Sequence, residues 1–381
     1  MTTQKAIQIV GAGPSGLACA IVLARAGFKT KIHDRRPGVG GRFHDDFQGL
    51  ENWTAKDDIL RELELAGMKI NFDVLPVRHG TAFDAWDHAY DINSNAPLYY
   101  LVRRGQMAGT LDRGLLQQAL DLDVEIQFGH PMEEVDSGAV LAIGPRTADA
   151  IATGYIFETT MQNGSWICFN KELAPLGYSY LLVWQGRGTV ASCMFTGFQS
   201  HQKFVDRTVA FFEKKAGLQM TNPRQFGGYA NFRLPETATQ GDNLVIGEQA
   251  GFQDALAGFG MGYAIRSGIL AARSIIEGTS YTRLWRRELL PQLRTSVCNR
   301  FIFNVAGRYG HRYAIANHIA TGDAREALSA LYQPWWLTRL LQPIALLRYK
   351  HPLRDKSCDH IDCTCVWCEH GITGHPSQHD G

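Results

Sequence analysis

The chain opens on a short apolar run, "AIQIV" at residues 6–10, cut off by Gly11. A run this short, apolar throughout and bounded by glycine, is the pattern of a strand buried on both faces. The stretch through residue 36 then reads as strand, glycine turn, helix and second strand, the last being "KTKIHD". A similar order returns late in the chain, where "NLVIG" (243–247) predicts a strand, followed by a glycine-rich turn and a helix. Between them, "LGYSYLLVWQGRGTVASCMF" (176–195) alternates apolar and polar positions through two runs joined by "QGRG", a hairpin signal. In the last third, Trp335, Trp336, Leu340 and Leu341 recur at helical spacing, and Pro343 is expected to kink or end that helix.

With 381 residues, 45% hydrophobic and 20% charged, the chain can bury a large core and is expected to fold as two joined domains. A net charge of +1 argues against a protein built to grip nucleic acid. That average conceals a basic segment: residues 282–313 hold Arg283, Arg286, Arg287, Arg294, Arg300, Arg308 and Arg312 against Glu288 alone. Such a segment can meet an anionic substrate, an acidic membrane face or simply solvent. The N-terminus shows no signal-peptide pattern, no apolar stretch reaches the length of a membrane span, and Cys19, Cys168, Cys193 and Cys298 form no paired framework. The expected setting is cytoplasmic, with the apolar and basic stretch at 332–356 able to lie on a membrane face or to cap the core.

Candidate chemistry begins at the first turn. Gly11, Gly13 and Gly16 have the G-x-G-x-x-G spacing that admits a diphosphate to the start of a helix, here at Pro14 and Ser15. Asp34, followed by Arg35, ends the second strand where a carboxylate can take ribose hydroxyls. "GVGGRF" (38–43) then offers a flexible loop at Gly41 and a charge at Arg42. Together these predict a dinucleotide site.

The segment "GDNLVIGEQAGFQDALAGFGMGYAIRSGILAARSI" (241–275) resembles the second FAD-contacting motif of the flavoprotein superfamily that contains geranylgeranyl reductases and aromatic hydroxylases. Gly247, Ala250, Gly251, Gly258, Gly260 and Gly262 fit the motif, and Glu248 stands where the family has aspartate. The resemblance implies that Glu248 holds the ribityl or diphosphate region of FAD. It also implies that Gly260, Met261 and Gly262 approach the isoalloxazine ring. "LVRRGQMAGTLDRGLLQQAL" (101–120) resembles a third segment, which implies a flavin contact at Arg104, with Arg103 as the alternative.

Tyr178 and Tyr180 match the start of a reductase segment that lines the substrate cavity, although Leu182 and Val183 replace its Phe-Pro pair. The hydroxylase Asp-Gly motif is missing from "AIGPRTADAIATGY" (142–155), and Val39 stands where reductases often carry a cysteine. What this implies is an α/β fold of mixed α+β character. A Rossmann-like FAD-binding domain would be assembled from 1–75, 100–155 and 235–280, with an interleaved antiparallel-sheet substrate domain from 76–99 and 156–234. A helical C-terminal region (281–356) and a Cys/His-rich tail (357–381) would follow. The implied activity is hydride transfer from reduced flavin to a C=C bond of a hydrophobic, isoprenoid-like small molecule. NAD(P)H or a ferredoxin-like donor protein would reduce the flavin. A flavin monooxygenase of the aromatic hydroxylase type is the alternative enzyme. No acid or base is identified.

The tail "SCDHIDCTCVWCEHG" (357–371) carries Cys358, Cys363, Cys365 and Cys368, flanked by His360 and His370. Thiolates this close can wrap a zinc ion or ligate an iron–sulfur cluster, and Cys365 with Cys368 can also form a redox dithiol. An electron-transfer protein that couples such a cluster to the flavin is the third reading.

Overall fold

The computed structural model describes residues 6–349 apart from 133–134, 146–147 and 233. The first strand, Ile7–Val10, lies inside a six-stranded sheet, parallel to Thr30–Asp34 on one side and Val140–Leu141 on the other. Glu125–Phe128 extends one flank in parallel, and Asn243–Val245 extends the other. The apolar run at 6–10 is continuous because both faces of this sheet are covered, leaving Ile9 and Ile32 with no exposed surface. Helices Pro14–Arg25 and Met261–Glu277 supply much of that cover. They approach closely because Gly268 sits against the carbonyl of Ser15, where any Cβ would collide.

A seven-stranded sheet draws its strands from 79–93 and 150–230. Its centre is the expected hairpin, Tyr178–Trp184 paired antiparallel with Arg187–Met194. Gln185 and Gly186 both take positive φ, 50° and 75°, which suits a two-residue turn matched to strand twist. A third sheet, Asp46–Glu51, Tyr99–Arg104 and Val74–Val77, joins the other two; Phe47 N–H donates to Thr189 Oγ1 of the hairpin at 3.0 Å. The expected mixed α/β class, a Rossmann-like domain with an interleaved sheet and a helical C-terminal region, is the one observed, the interleaved sheet being antiparallel except where Gly164–Cys168 pairs in parallel with His79–Phe83.

The helical region runs through Tyr281–Glu288, Leu290–Ala314, Ala324–Leu331 and Trp336–Arg348. Of the two outcomes expected at Pro343, a kink or an end, the helix does not end there but runs on to Arg348. Pro343 lies on the exposed face, where water can satisfy the Arg339 carbonyl that has lost its intrahelical partner. The long helix is interrupted instead at Gly307, whose φ of 56° and ψ of −161° suit glycine alone. Among the described residues no helix is long and apolar enough to cross a membrane.

Candidate functional site

A cavity of about 1190 Å³ runs between the parallel sheet, the seven-stranded sheet and the C-terminal helices. At one end it is lined by Gly11, Gly13, Pro14 and Ser15, and by Asp34 and Arg35 at the end of the second strand. Gly11 holds φ at 112°, and a Cβ there would strike the Ala142 carbonyl; a Cβ on Gly13 would meet nothing within 4 Å. The turn is therefore tight against the sheet and open towards the cavity. Helix Pro14–Arg25 starts at Gly13 without a side-chain cap, and helix Met261–Glu277 starts at Gly260 in the same way. Helices 59–65, 111–120, 281–288 and 324–331 are all capped by Asp, Thr or Ser. Two uncapped helix starts on one cavity present free N–H groups and positive dipole ends to an anionic ligand.

Asp34 accepts from the Ala12 N–H at 2.7 Å through Oδ2 and from the Arg36 N–H at 2.8 Å through Oδ1. It thus braces the glycine turn while its remaining lone pairs face the cavity. His33, also on the cavity wall, has both ring nitrogens buried without a partner among the described residues, and burial lowers its pKa. Arg36 donates to the Gly41 carbonyl at 2.8 Å and shapes the second glycine loop. His33 and Arg36 escaped the sequence reading because neither belongs to the motif spacing.

Gly41, Arg42, Arg104, Glu248, Gly258, Gly260 and Met261 all line the same cavity. Arg42 Nη1 donates to Glu248 Oε2 at 3.2 Å, joining segments 206 residues apart, and Nη2 donates to the Tyr229 carbonyl at 3.1 Å. Arg104 is 5% exposed and grips Asp112 through two 2.9 Å hydrogen bonds, with its guanidinium 4.0 Å over the Phe43 ring. Its charge is thus neutralised within the wall. Arg103 turns away from the cavity to Asp73, at 2.6 Å. Gly16, Gly247 and Gly262 stand behind the wall: Cβ atoms there would meet the Gly11 carbonyl, the Ser15 side chain and the Glu51 carboxylate.

The loop carrying Gly258 and Gly260 is shaped by Asp254, whose carboxylate accepts from the Ala257 N–H at 2.7 Å and the Leu256 N–H at 3.2 Å. Aspartate followed by small residues and glycine is a turn signal that could have identified it. Arg300, from the basic segment, is buried rather than solvated. It donates to the carbonyls of Leu256 and Leu176 and lies 3.4 Å over the Phe195 ring; burial lowers its pKa to about 10. Tyr178 donates to the Ala257 carbonyl beside this loop, and its ring lies 6.2 Å from that of Tyr180. Both tyrosines line the cavity, and burial raises both of their pKa values.

Beyond them the cavity becomes largely apolar, walled by Ile92, Leu98, Ile167, Phe169, Ala314, Ile315, Ile319 and Leu331. Polar side chains of this end include Thr81, Asn299, the pair Tyr99 and Ser165, whose hydroxyls share a 2.5 Å hydrogen bond, and His311, whose Nε2 is 2.8 Å from the Phe303 carbonyl. At the junction, Asp46 lines the wall, held by the His44 N–H and Gln48 side chain; burial raises its pKa. No local pattern marks Asp46, because its burial depends on the hairpin folding over it.

Cys358, Cys363, Cys365, Cys368, His360 and His370 lie outside the described residues. Among the described residues no cluster of His, Cys, Asp and Glu is arranged to hold a metal ion.

A family model described as an NAD(P)-binding Rossmann-like domain matches residues 9–52. The glutamate synthase [NADPH] small chain of Escherichia coli is 56% identical over 39 residues, 10% of this chain and 8% of that protein. The chain spans under a tenth of that relative's length. Solved structures match over far more of the chain. A geranylgeranyl bacteriochlorophyll reductase-like protein from Thermoplasma acidophilum superposes with a TM-score of 0.56 at 16% identity, covering 90% of this chain and 96% of that one. The flavin-dependent brominase Bmp2 superposes with a TM-score of 0.64 at 15% identity, covering 90% and 98%. The chain therefore shares its fold with these two solved proteins over about 90% of its length, and its residues 9–52 match an NAD(P)-binding Rossmann-like domain.

Proposed function

We propose that the chain is an FAD-dependent oxidoreductase that transfers a hydride from reduced flavin to a C=C bond of a hydrophobic, isoprenoid-like small molecule. The observation that carries this reading is the continuity of the cavity from the glycine turn, past residues 258–261, into an apolar chamber. The residues fit the cofactor. Gly11, Gly13, Pro14 and Ser15 offer backbone to a diphosphate, Asp34 offers a carboxylate to a ribose, and Gly258, Gly260 and Met261 offer a helix start to the ring system. Arg42 and Glu248 would flank the chain between them. When bound and reduced by NAD(P)H or a donor protein, the flavin supplies the hydride.

The protein's own part is to orient the acceptor and exclude water, with the apolar chamber doing both. Addition of hydride to one alkene carbon requires a proton at the other. Tyr178, Tyr180 and Asp46 line the wall near the junction of the two halves, and burial raises the pKa of each, which favours the form that carries a proton.

A second reading, a flavin monooxygenase of the aromatic hydroxylase type, draws support from the same fold in 2-methyl-3-hydroxypyridine-5-carboxylic acid oxygenase, which superposes with a TM-score of 0.54 at 13% identity. One experiment separates them: the purified protein is reduced anaerobically with NADPH or reduced ferredoxin and then mixed with a prenylated acceptor. Flavin reoxidation without oxygen supports the reductase; reoxidation that needs oxygen and oxygenates the substrate supports the monooxygenase. A colourless protein that takes up no added FAD refutes both. Metal analysis of the same preparation, with its spectrum beyond the flavin bands, tests zinc or an iron–sulfur cluster at the cysteine tail.

A further inference from the structure

Helix Trp336–Arg348 turns its apolar side outward. Its inner face is anchored by buried Thr338 and Ala345; Cys298 Sγ donates to the Thr338 carbonyl at 3.5 Å, and Asn304 Nδ2 donates to the hydroxyl of Tyr349 at 2.7 Å. The opposite face exposes Trp336 (70%), Leu340 (66%), Ile344 (55%) and Leu347 (76%). At about 100° per residue, these four fall within an arc of about 80°. A surface helix facing water shows the reverse pattern. Arg339 and Arg348, both exposed, flank the stripe on its two sides, and residues 327–349 contain no aspartate or glutamate.

The stripe is also continuous with the cavity. Leu331 and Trp335 line the cavity and are themselves exposed, and the Trp335 ring lies 5.8 Å from that of Trp336.

We propose that this face docks on an anionic lipid bilayer, with Trp336, Leu340, Ile344 and Leu347 lowered into the boundary between headgroups and acyl chains. Charge selects this occupant. A second copy meeting the same face across a two-fold axis would bring like-charged arginines together, whereas a bilayer offers apolar chains beneath a layer of phosphates. Docking there places the Leu331–Trp335 rim at the lipid, so an apolar substrate can enter the cavity without crossing water. That last step rests on the proposed function; the docking itself does not.

The test is co-sedimentation of the full chain with phosphatidylcholine vesicles, with and without phosphatidylserine. Partition is expected to rise with phosphatidylserine and to fall with added salt. Trp336→Ser and Leu340→Ser should each weaken it about tenfold. Arg339→Gln should reduce the preference for anionic vesicles about fivefold. All three positions are exposed, so the melting temperature and flavin content of the variants should match the parent and report correct folding. Absence from the phosphatidylserine pellet, or equal partition of the Trp336→Ser/Leu340→Ser double variant, overturns the proposal. So does a dimer that Leu340→Ser dissociates, since it assigns the face to a second copy. Because no turnover is read, a protein that takes up no added FAD yet binds vesicles refutes the oxidoreductase reading and leaves the docking surface standing.

Discussion

Replacing Glu51 by glutamine should stabilise the protein at pH 8 and leave it unchanged near pH 4. Glu51 ends the strand Asp46–Glu51 with no exposed surface, pressed against Gly262 at the start of the helix that faces the cavity. Its Oε1 accepts from Thr54 Oγ1 at 3.3 Å, and its Oε2 has no partner among the described residues. The nearest opposite charge, Arg266, directs Nε to Glu62 and Nη1 to Thr54. Burial therefore outweighs attraction and pushes the carboxyl from its ordinary 4.5 up to about 7.

The sign follows from proton linkage. Between those two pH values the folded protein holds a proton that the unfolded chain has lost. Stability present below pH 4.5 therefore declines as pH rises to about 7. At about 1.4 kcal/mol per pH unit, over a gap of about 2.5 units, the loss is about 3 kcal/mol. Glutamine has nearly the same shape and no proton to lose, so it escapes the decline. Urea unfolding of parent and variant at a series of pH values from 4 to 8 reads the difference, and other titrating groups cancel in the comparison. The two stability curves should coincide near pH 4 and separate by about 3 kcal/mol at pH 8. Curves that stay parallel across the range would refute the reasoning.

Three further outcomes are expected. Arg104→Ala leaves the buried Asp112 carboxylate without its guanidinium and should cost about 3–5 kcal/mol in thermal or urea unfolding, whereas Arg103→Ala, whose partner Asp73 is half-exposed, should cost less than about 1 kcal/mol. Gly11→Ala drives a Cβ into the Ala142 carbonyl at a positive φ, so the folded variant should be purified without flavin absorbance. Arg42→Ala removes the partner of Glu248 from the cavity wall and should weaken FAD binding about tenfold or more, measured by quenching of flavin fluorescence.

What was legible from the sequence was local. The first strand, the glycine turn and its helix, the late strand and helix at 243–275 and the hairpin at 176–195 each announce themselves within about twenty residues. Backbone conformation and side-chain period are short-range properties. The hairpin turn at Gln185 and Gly186 is one such case, since two positive φ values need suitable residues at those two positions alone.

Tertiary structure decided what depended on distant neighbours. It paired Arg42 with Glu248, locked Arg104 onto Asp112 and buried Arg300 against Phe195, although all three arginines look alike in sequence. It raised the Glu51 carboxyl and buried Asp46, because desolvation is set by the chains folded over a group and not by the group itself. It let the last helix run through Pro343, since an exposed carbonyl costs little to leave to water. The amino-acid sequence by itself determined where a dinucleotide can be held, through glycines whose backbone role is local. Only the folded chain decided that this cradle opens into an apolar chamber, because the walls come from three sheets and a helical region whose contact is long-range burial.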